Sequence, residues 1–165
     1  MHLHFYLLPE IIRWLLFLTY YGRMQFAPAN TIMSEKRPFA HPITITQADI
    51  DHLGHVNNVV YLRWVQETAV AHWEAAAPAD VQQKYHWIVL RHEIDYRAQA
   101  LPGDEIIAYT WVNEYSGAKS DRYVKICLRE TGKVLAEAKT TWCLIDAQTK
   151  RPLRITPEIA AAFIN

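Results

Sequence analysis

Cysteine is nearly absent from this chain. Cys127 and Cys143 are the only two in 165 residues, and no CxxC pair exists. A zinc ribbon or a thioredoxin-type redox motif is therefore excluded. Both thiols fall in strand-like runs, the setting of reduced core cysteines in a cytoplasmic protein. Net charge is absent too: 17 Lys+Arg balance 17 Asp+Glu, and the pI is about 7.1. No basic run or basic-aromatic stripe marks a nucleic-acid partner, although a local patch could still hold an anion. A G-x-S-x-G elbow is missing, which excludes the common serine hydrolases. Walker A and G-x-G-x-x-G loops are missing as well, which removes both usual nucleotide cradles. An unbroken apolar run is also lacking. Residues 3–21 are apolar and aromatic, but Pro9, Glu10 and Arg13 interrupt them. They form neither a stable membrane span nor a well-built secretory signal. Met33-Ser34-Glu35-Lys36 reads as an ordinary start, so residues 1–32 are expected to be an upstream extension or a weak membrane-surface helix. The domain is expected to run from 36 to 165.

What is present is a core-forming composition, 51% hydrophobic, in a length that fits one domain. Residues 39–47 alternate as a half-buried strand does. A polar loop follows to Asn57, a good helix N-cap. From residue 58 to about 77, Leu62, Val65, Ala69 and Trp73 recur at helical spacing with no Gly or Pro between them, and Pro78 closes the run. A polar link with room for one helical turn leads on. Four long strand patterns come next, at 87–99, 105–115, 121–130 and 134–146. Ser116-Gly117 and Thr131-Gly132-Lys133 supply hairpin turns. Residues 157–163 read as a short last helix. One long helix against a single antiparallel meander is an α+β layer architecture. The sheet has to curl around the helix, which leaves its edge strands open. Edge pairing between two copies answers that, so a homodimer or homotetramer is expected.

The densest chemistry lies at 49–64, DIDHLGHVNNVVYLRW. Two carboxylates, two histidines, a glycine and an Asn-Asn pair stand directly before the long helix. Its first N–H groups lack partners and carry the positive end of the helix dipole. Asp49, Asp51, His52 and His55 have the residue types of a metal site, but their spacing is no recognised ligand frame. No metal or other cofactor is expected.

The DxDxxGHVNN string followed by Tyr61-x-x-Trp64 and Glu67, with Asp95-Tyr96 and Pro102-Gly103-Asp104 further on, resembles the hotdog-fold thioesterases. The likeness is to the 4-hydroxybenzoyl-CoA thioesterase-like family and its acyl-CoA and acyl-carrier-protein thioesterases, over residues 42–146. The resemblance implies a hotdog fold, a long central helix wrapped by a curved antiparallel sheet. It implies a thioester hydrolase of acyl-CoA or acyl-carrier-protein (acyl-ACP) substrates. Asp51 takes the position of the catalytic carboxylate and Asn58 that of the backbone N–H at the helix start that binds the thioester carbonyl. His55 matches a histidine of the carrier-protein branch. That branch has asparagine where this chain has Leu53, and Gln99 stands where it has an acid, which favours a simpler mechanism built on Asp51 and the helix start.

Thioester hydrolysis needs little more than these parts. The thiol leaving group has a pKa near 8.5 and departs without a strong acid. Donors at the helix start can hold the developing oxyanion, while Asp51 attacks the carbonyl or deprotonates a water. Asp49 reads as the structural member of the pair, bonding loop amides. His55 either orients the thioester or fixes the loop. Gly54 permits positive φ or close approach beside the substrate. Asn57 caps the helix and steadies the loop. Tyr61 and Trp64 are placed as substrate-pocket aromatics, with plain core as the alternative. Glu67 is the reserve catalytic carboxylate, unless it pairs with Arg63 one turn earlier. Arg97, Lys119 and Arg122 could meet CoA phosphates. The rival functions are a hydratase acting on acyl-CoA and a non-catalytic acyl-thioester binding protein.

Overall fold

The alternation that begins at Phe39 lasts only five residues as a strand, β1 at Phe39–Ile43. The expected strand to residue 47 is shortened because the chain tightens into a 3₁₀ turn at Gln47–Asp49. The computed structural model describes residues 38–161; the expected extension at 1–32 lies outside them. After the turn come α1 at Asn58–Ala76, a six-residue α2 at Ala79–Lys84, and four strands. These are β2 at Tyr85–Tyr96, β3 at Ile106–Ser116, β4 at Lys119–Leu128 and β5 at Val134–Asp146. A short α3 at Pro157–Ala161 closes the described chain. The polar link 79–84 is thus helical, and β2 starts two residues earlier than its pattern suggests.

All five strands pair antiparallel in the order β1-β3-β4-β5-β2. This is the expected α+β hotdog arrangement. Glycine matters at the two tight turns of the meander. Gly117 (φ +60°) and Gly132 (φ +69°) take left-handed backbone that a side chain would strain. Strands β1 and β2 form the edges. On β2 the pairing with β5 shifts between Val89 and Arg91, and Ile88 and Leu90 remain exposed on that edge.

The core lies between α1 and the sheet. Val60, Tyr61, Trp64 and Val65 from the helix join Ile106, Ala108, Val124, Ile126, Leu135 and Ala136 in one buried cluster. Several positions under the helix are alanine, which gives the indole of Trp64 room without a void. A second cluster gathers Leu144 with Ile155 and Ile159, and packs Trp73, Tyr85 and Trp87 against them. Cys127 and Cys143 are free thiols, both buried. Among the described residues no helix is long and apolar enough to cross a membrane.

One titratable pair sits inside this packing. Arg122 Nη1 lies 2.8 Å from His72 Nδ1. A guanidinium has no acceptor, so the His72 lone pair must face it and the imidazole is neutral. Phe39 stacks on the face of the ring. Burial, and then the adjacent Arg122 charge, lower the His72 pKa to about 4. The unfolded imidazole titrates near its ordinary value of 6.5, so between there and about 4 the unfolded chain binds a proton that the folded chain refuses. His72 therefore contributes stability that is complete above that window and lost as pH falls through it. His92 is also lowered by burial, so the wild-type profile contains both. Urea unfolding of wild type and His72→Gln at pH 7 and pH 4.5 isolates the His72 share: the acid-induced loss is expected to be smaller in the variant. Equal losses in both proteins would contradict the neutral assignment.

Candidate active site

The loop 49–57 is held at both ends before any chemistry begins. Asp49 is buried, with 1% of its surface exposed. Its Oδ2 accepts from the Thr46 N–H (2.8 Å) and hydroxyl (3.0 Å), and its Oδ1 from Arg63 Nη2 at 2.6 Å. Burial alone would raise this carboxyl, but the Thr46 and Arg63 bonds outweigh it and keep the pKa below the ordinary range. The Asp49 carbonyl accepts from Asn57 N–H at 2.9 Å. Asp49 is thus the structural carboxylate, tying the start of the loop to its end and to the second turn of α1.

Between those ties the chain doubles back. Ile50 bridges Val56, and Gly54 N–H donates to the Asp51 carbonyl at 3.0 Å. Gly54 sits at φ +80°, with nothing within 4 Å of the place a Cβ would occupy. Backbone conformation, more than crowding, therefore demands the glycine. The Asp51 carboxylate crowns the turn. Its Oδ1 accepts from Leu53 N–H (2.8 Å) and His55 N–H (3.4 Å). Its Oδ2 takes no hydrogen bond from the described residues. One oxygen is fixed and the other is available.

The helix start is equally particular. Asn57 caps α1, its Oδ1 accepting from Val59 N–H at 3.0 Å. Val60 N–H donates to the Asn57 carbonyl. Capping therefore consumes the neighbouring donors and leaves the Asn58 N–H with no acceptor among the described residues. Tyr96 donates its hydroxyl to the Asn58 carbonyl at 3.1 Å, which fixes the plane of the first peptide of the helix.

Asp51, Leu53, His55, Asn57, Asn58, Tyr61, Tyr96, Arg97 and Gln99 line one open cleft of about 420 Å³. Of the predicted site residues, Asp51, His55, Asn57, Asn58 and Tyr61 come together there. Gly54 shapes the turn beside them. Tyr61 is buried and its ring meets Tyr96 edge-on at 5.6 Å. Its oxygen accepts from Ala100 N–H at 2.8 Å, so it braces the far wall and spends its hydroxyl there. Trp64 is 1% exposed and lines no part of this cleft; it is core. Glu67 is half exposed, pairs with Arg63 at 3.3 Å, and lies outside the cleft of its own chain. The pairing with Arg63 is as anticipated, but Arg63 also serves Asp49. His52 is exposed on the loop, and Asp49 faces Arg63 instead of the histidines. Arg97 is at the cleft. Arg122, expected among residues available to CoA phosphates, is buried elsewhere instead, because the alternation of β4 turns it inward. Sequence reasoning missed Tyr96 as a site residue; its place one residue after Asp95 in the matched strand was the signal.

A long helix cradled by a five-stranded antiparallel sheet defines a hotdog protein, and its relatives place it in the thioester hydrolase class. The chain belongs to the thioesterase-like superfamily, whose family profile matches residues 45–163. It is 27% identical over 115 residues to the long-chain acyl-CoA thioesterase FadM of Escherichia coli K12, covering 67% of this chain and 85% of that protein. It is also 27% identical over 116 residues to the chloroplastic palmitoyl-acyl carrier protein thioesterase of Arabidopsis thaliana, covering 61% of this chain but only 28% of that larger protein. Among solved structures, the YbaW probable thioesterase of Escherichia coli superposes with a TM-score of 0.68 at 22% identity, covering 76% of this chain and 98% of that one. A thioesterase of Thermus thermophilus complexed with coenzyme A and Zn gives a TM-score of 0.68 at 22% identity, covering 78% and 93%. At such identities the structures speak for the fold.

The site geometry makes Asp49 a stability residue. Asp49→Ala leaves the Thr46 amide and the Arg63 guanidinium without their acceptor, and is expected to cost about 2–3 kcal/mol. Urea denaturation of the variant beside wild type measures this. A loss below about 0.5 kcal/mol, the level of an ordinary surface change, would show that the loop is held by something else.

Proposed function

We propose that this chain hydrolyses acyl-CoA thioesters to a free carboxylic acid and a thiol. The observation that carries the reading is the pairing, in one cleft, of an Asp51 oxygen and the Asn58 N–H, neither of which has a hydrogen-bond partner among the described residues. The thioester carbonyl accepts from that N–H. The positive end of α1 stabilises charge as it gathers on the oxygen. Asp51 then acts by one of two balanced routes. As nucleophile it adds to the carbonyl carbon and expels the thiolate, and water cleaves the resulting anhydride. As base it takes a proton from water, whose oxygen adds to the carbonyl before the C–S bond breaks. His55, free of hydrogen bonds from its ring among the described residues, orients the acyl group or the water. Neither route uses a cofactor.

Coenzyme A is favoured over a carrier protein as the thiol. FadM is named for acyl-CoA, and Arg97 lies at the cleft, where a phosphate would have to share it with Asp95 (3.0 Å) and Glu137 (3.5 Å). The acyl group is not specified by the cleft. Two copies joined along β2 would cover Ile88 and Leu90, so the working unit is a homodimer or a pair of them. The two buried free thiols suit a reducing compartment such as the cytoplasm.

Asp51→Asn can keep the bonds from Leu53 and His55 while losing the charge. It is expected to fold as wild type and to lower kcat at least ~100-fold, the lower range for a catalytic acid or base. Thiol release from an acyl-CoA panel, read beside double-bond hydration, measures both the loss and the reaction type. A folded variant with full activity would remove Asp51 from the chemistry. Glu67 lines a separate, shallow cavity on its own chain and reaches the Asp51 cleft only if a second copy brings it there, and Glu67→Gln is expected to change kcat no more than ~3-fold, against the ~100-fold of a working carboxylate. A larger loss with Asp51→Asn unaffected would transfer the role to Glu67.

A further inference from the structure

A second cavity, sharing no lining residue with the Asp51 cleft, opens at the other end of α1. Asn58 and Trp73 are fifteen residues apart, which puts the two sites about 22 Å from each other along the helix axis. This cavity measures about 290 Å³, and its walls are largely aromatic: Trp73, Trp87, Trp142 and Tyr85, with Val112 beside them. Trp73 and Trp87 meet edge to face at 6.1 Å. An apolar void of about 150 Å³ is enough to take up benzene. The space here suits one or two fused rings or a short alkyl chain.

One wall of this apolar space is a cation. Arg122 lies on the inward face of β4 with Ser120, Val124 and Ile126, and is 6% exposed. Burying a guanidinium is costly unless an anion accompanies it. Arg122 makes no ion pair among the described residues. Its two hydrogen bonds, to Thr110 Oγ1 at 3.1 Å and to His72 Nδ1, both leave from Nη1. Nε and Nη2 have no protein partner among the described residues. Neutral His72 supplies no counter-charge. Glu74 is the carboxylate on the cavity lining, exposed and not paired with Arg122. Trp142, 8% exposed, also lines the cavity, but its Nε1–H is turned away from the open space, with no acceptor among the described residues. An aromatic pocket with a buried cation that has no ion pair among the described residues lacks an anionic acceptor attached to an apolar body.

We propose that this cavity is a binding site for an apolar or aromatic monocarboxylate, whose carboxylate meets Arg122 while its body lies among the tryptophans. A guanidinium fork recognises a carboxylate in this way by paired, charge-assisted bonds. The site does not depend on the Asp51 cleft, and its ligand need not be a thioester. The acid freed by thioester hydrolysis belongs to the same chemical class.

Calorimetric titration of the full chain with benzoate, 2-naphthoate and octanoate, and with the matching neutral amides, tests this directly. At least one acid is expected to bind saturably and at least ~10-fold tighter than its amide, the worth of one charge-assisted bond. Arg122→Gln is expected to remove that preference. Trp142→Phe trims the indole wall of the cavity, and is expected to weaken the acid and its amide alike several-fold while the acid preference stays; it serves even if Arg122→Gln folds poorly. Saturating coenzyme A is expected not to displace the acid. The proposal is overturned if none of the acids binds, if acid and amide bind alike, if Trp142→Phe leaves acid binding unchanged, or if coenzyme A competes. Because binding is read without turnover, its failure leaves the hydrolytic reading untouched, and an inactive enzyme leaves this site standing.

Discussion

The buried carboxylate of Asp49 is the constraint on which the amino-terminal site rests. It holds Thr46 before the loop, its carbonyl holds Asn57 after the loop, and its ion pair reaches Arg63 on the helix. Nine residues of polar chain are thereby closed into a fixed ring against the helix start. Without such ties a loop of this composition would sample many conformations at about 1–2 kcal/mol of backbone entropy per residue. With them, Asp51 is presented with one oxygen spoken for and the other open. The division of labour between the two aspartates follows from environment: one is buried with three donors, and the other is partly exposed with a free edge.

The helix start obeys the same logic of selective satisfaction. Three N–H groups of the first turn could serve as donors. Asn57 takes two of them, one with its side chain and one with its carbonyl, and the remaining donor belongs to Asn58. Tyr96 and Tyr61 then lock the helix to the strand β2 side of the cleft through Asn58 and Ala100. A preorganised donor of this kind needs no reorganisation when charge develops beside it. The far end of the same helix shows the opposite situation, a buried cation with no ion pair among the described residues, in an aromatic setting. One helix thus runs between two cavities that share no lining residue.

Much of this was legible in the chain. Alternation in residues 105–146, with Ser116-Gly117 and Thr131-Gly132-Lys133 between the runs, is enough to specify the meander, and the gap-free spacing from Leu62 to Trp73 specifies the helix. The fold class and the roles of Asn57 as a cap and Asp49 as a structural acid follow from local chemistry. Most of what was not legible depends on contacts between elements distant in sequence. Tyr61 and Trp64 share one motif, yet one braces the cleft and the other fills the core. Only their packing against Ala100 and the β3–β5 face separates them. Arg122 looks like any strand arginine until the register of β4 turns it inward. Strand β1 ended early because the side chain of Asp49 recruits Thr46 three residues before it, a local capping contact that alternation does not register.

The measurement closest to the central claim is a nitrogen-15 amide spectrum of the protein titrated with a non-hydrolysable acyl-CoA ketone analogue. A carbonyl gripped at the helix start will move the Asn58 amide resonance downfield by more than any other amide of α1, with Leu53 and His55 following as Asp51 responds. Saturable binding that leaves Asn58 unmoved would contradict the account, since the acyl carbonyl would then lie away from the carboxylate that is meant to act on it.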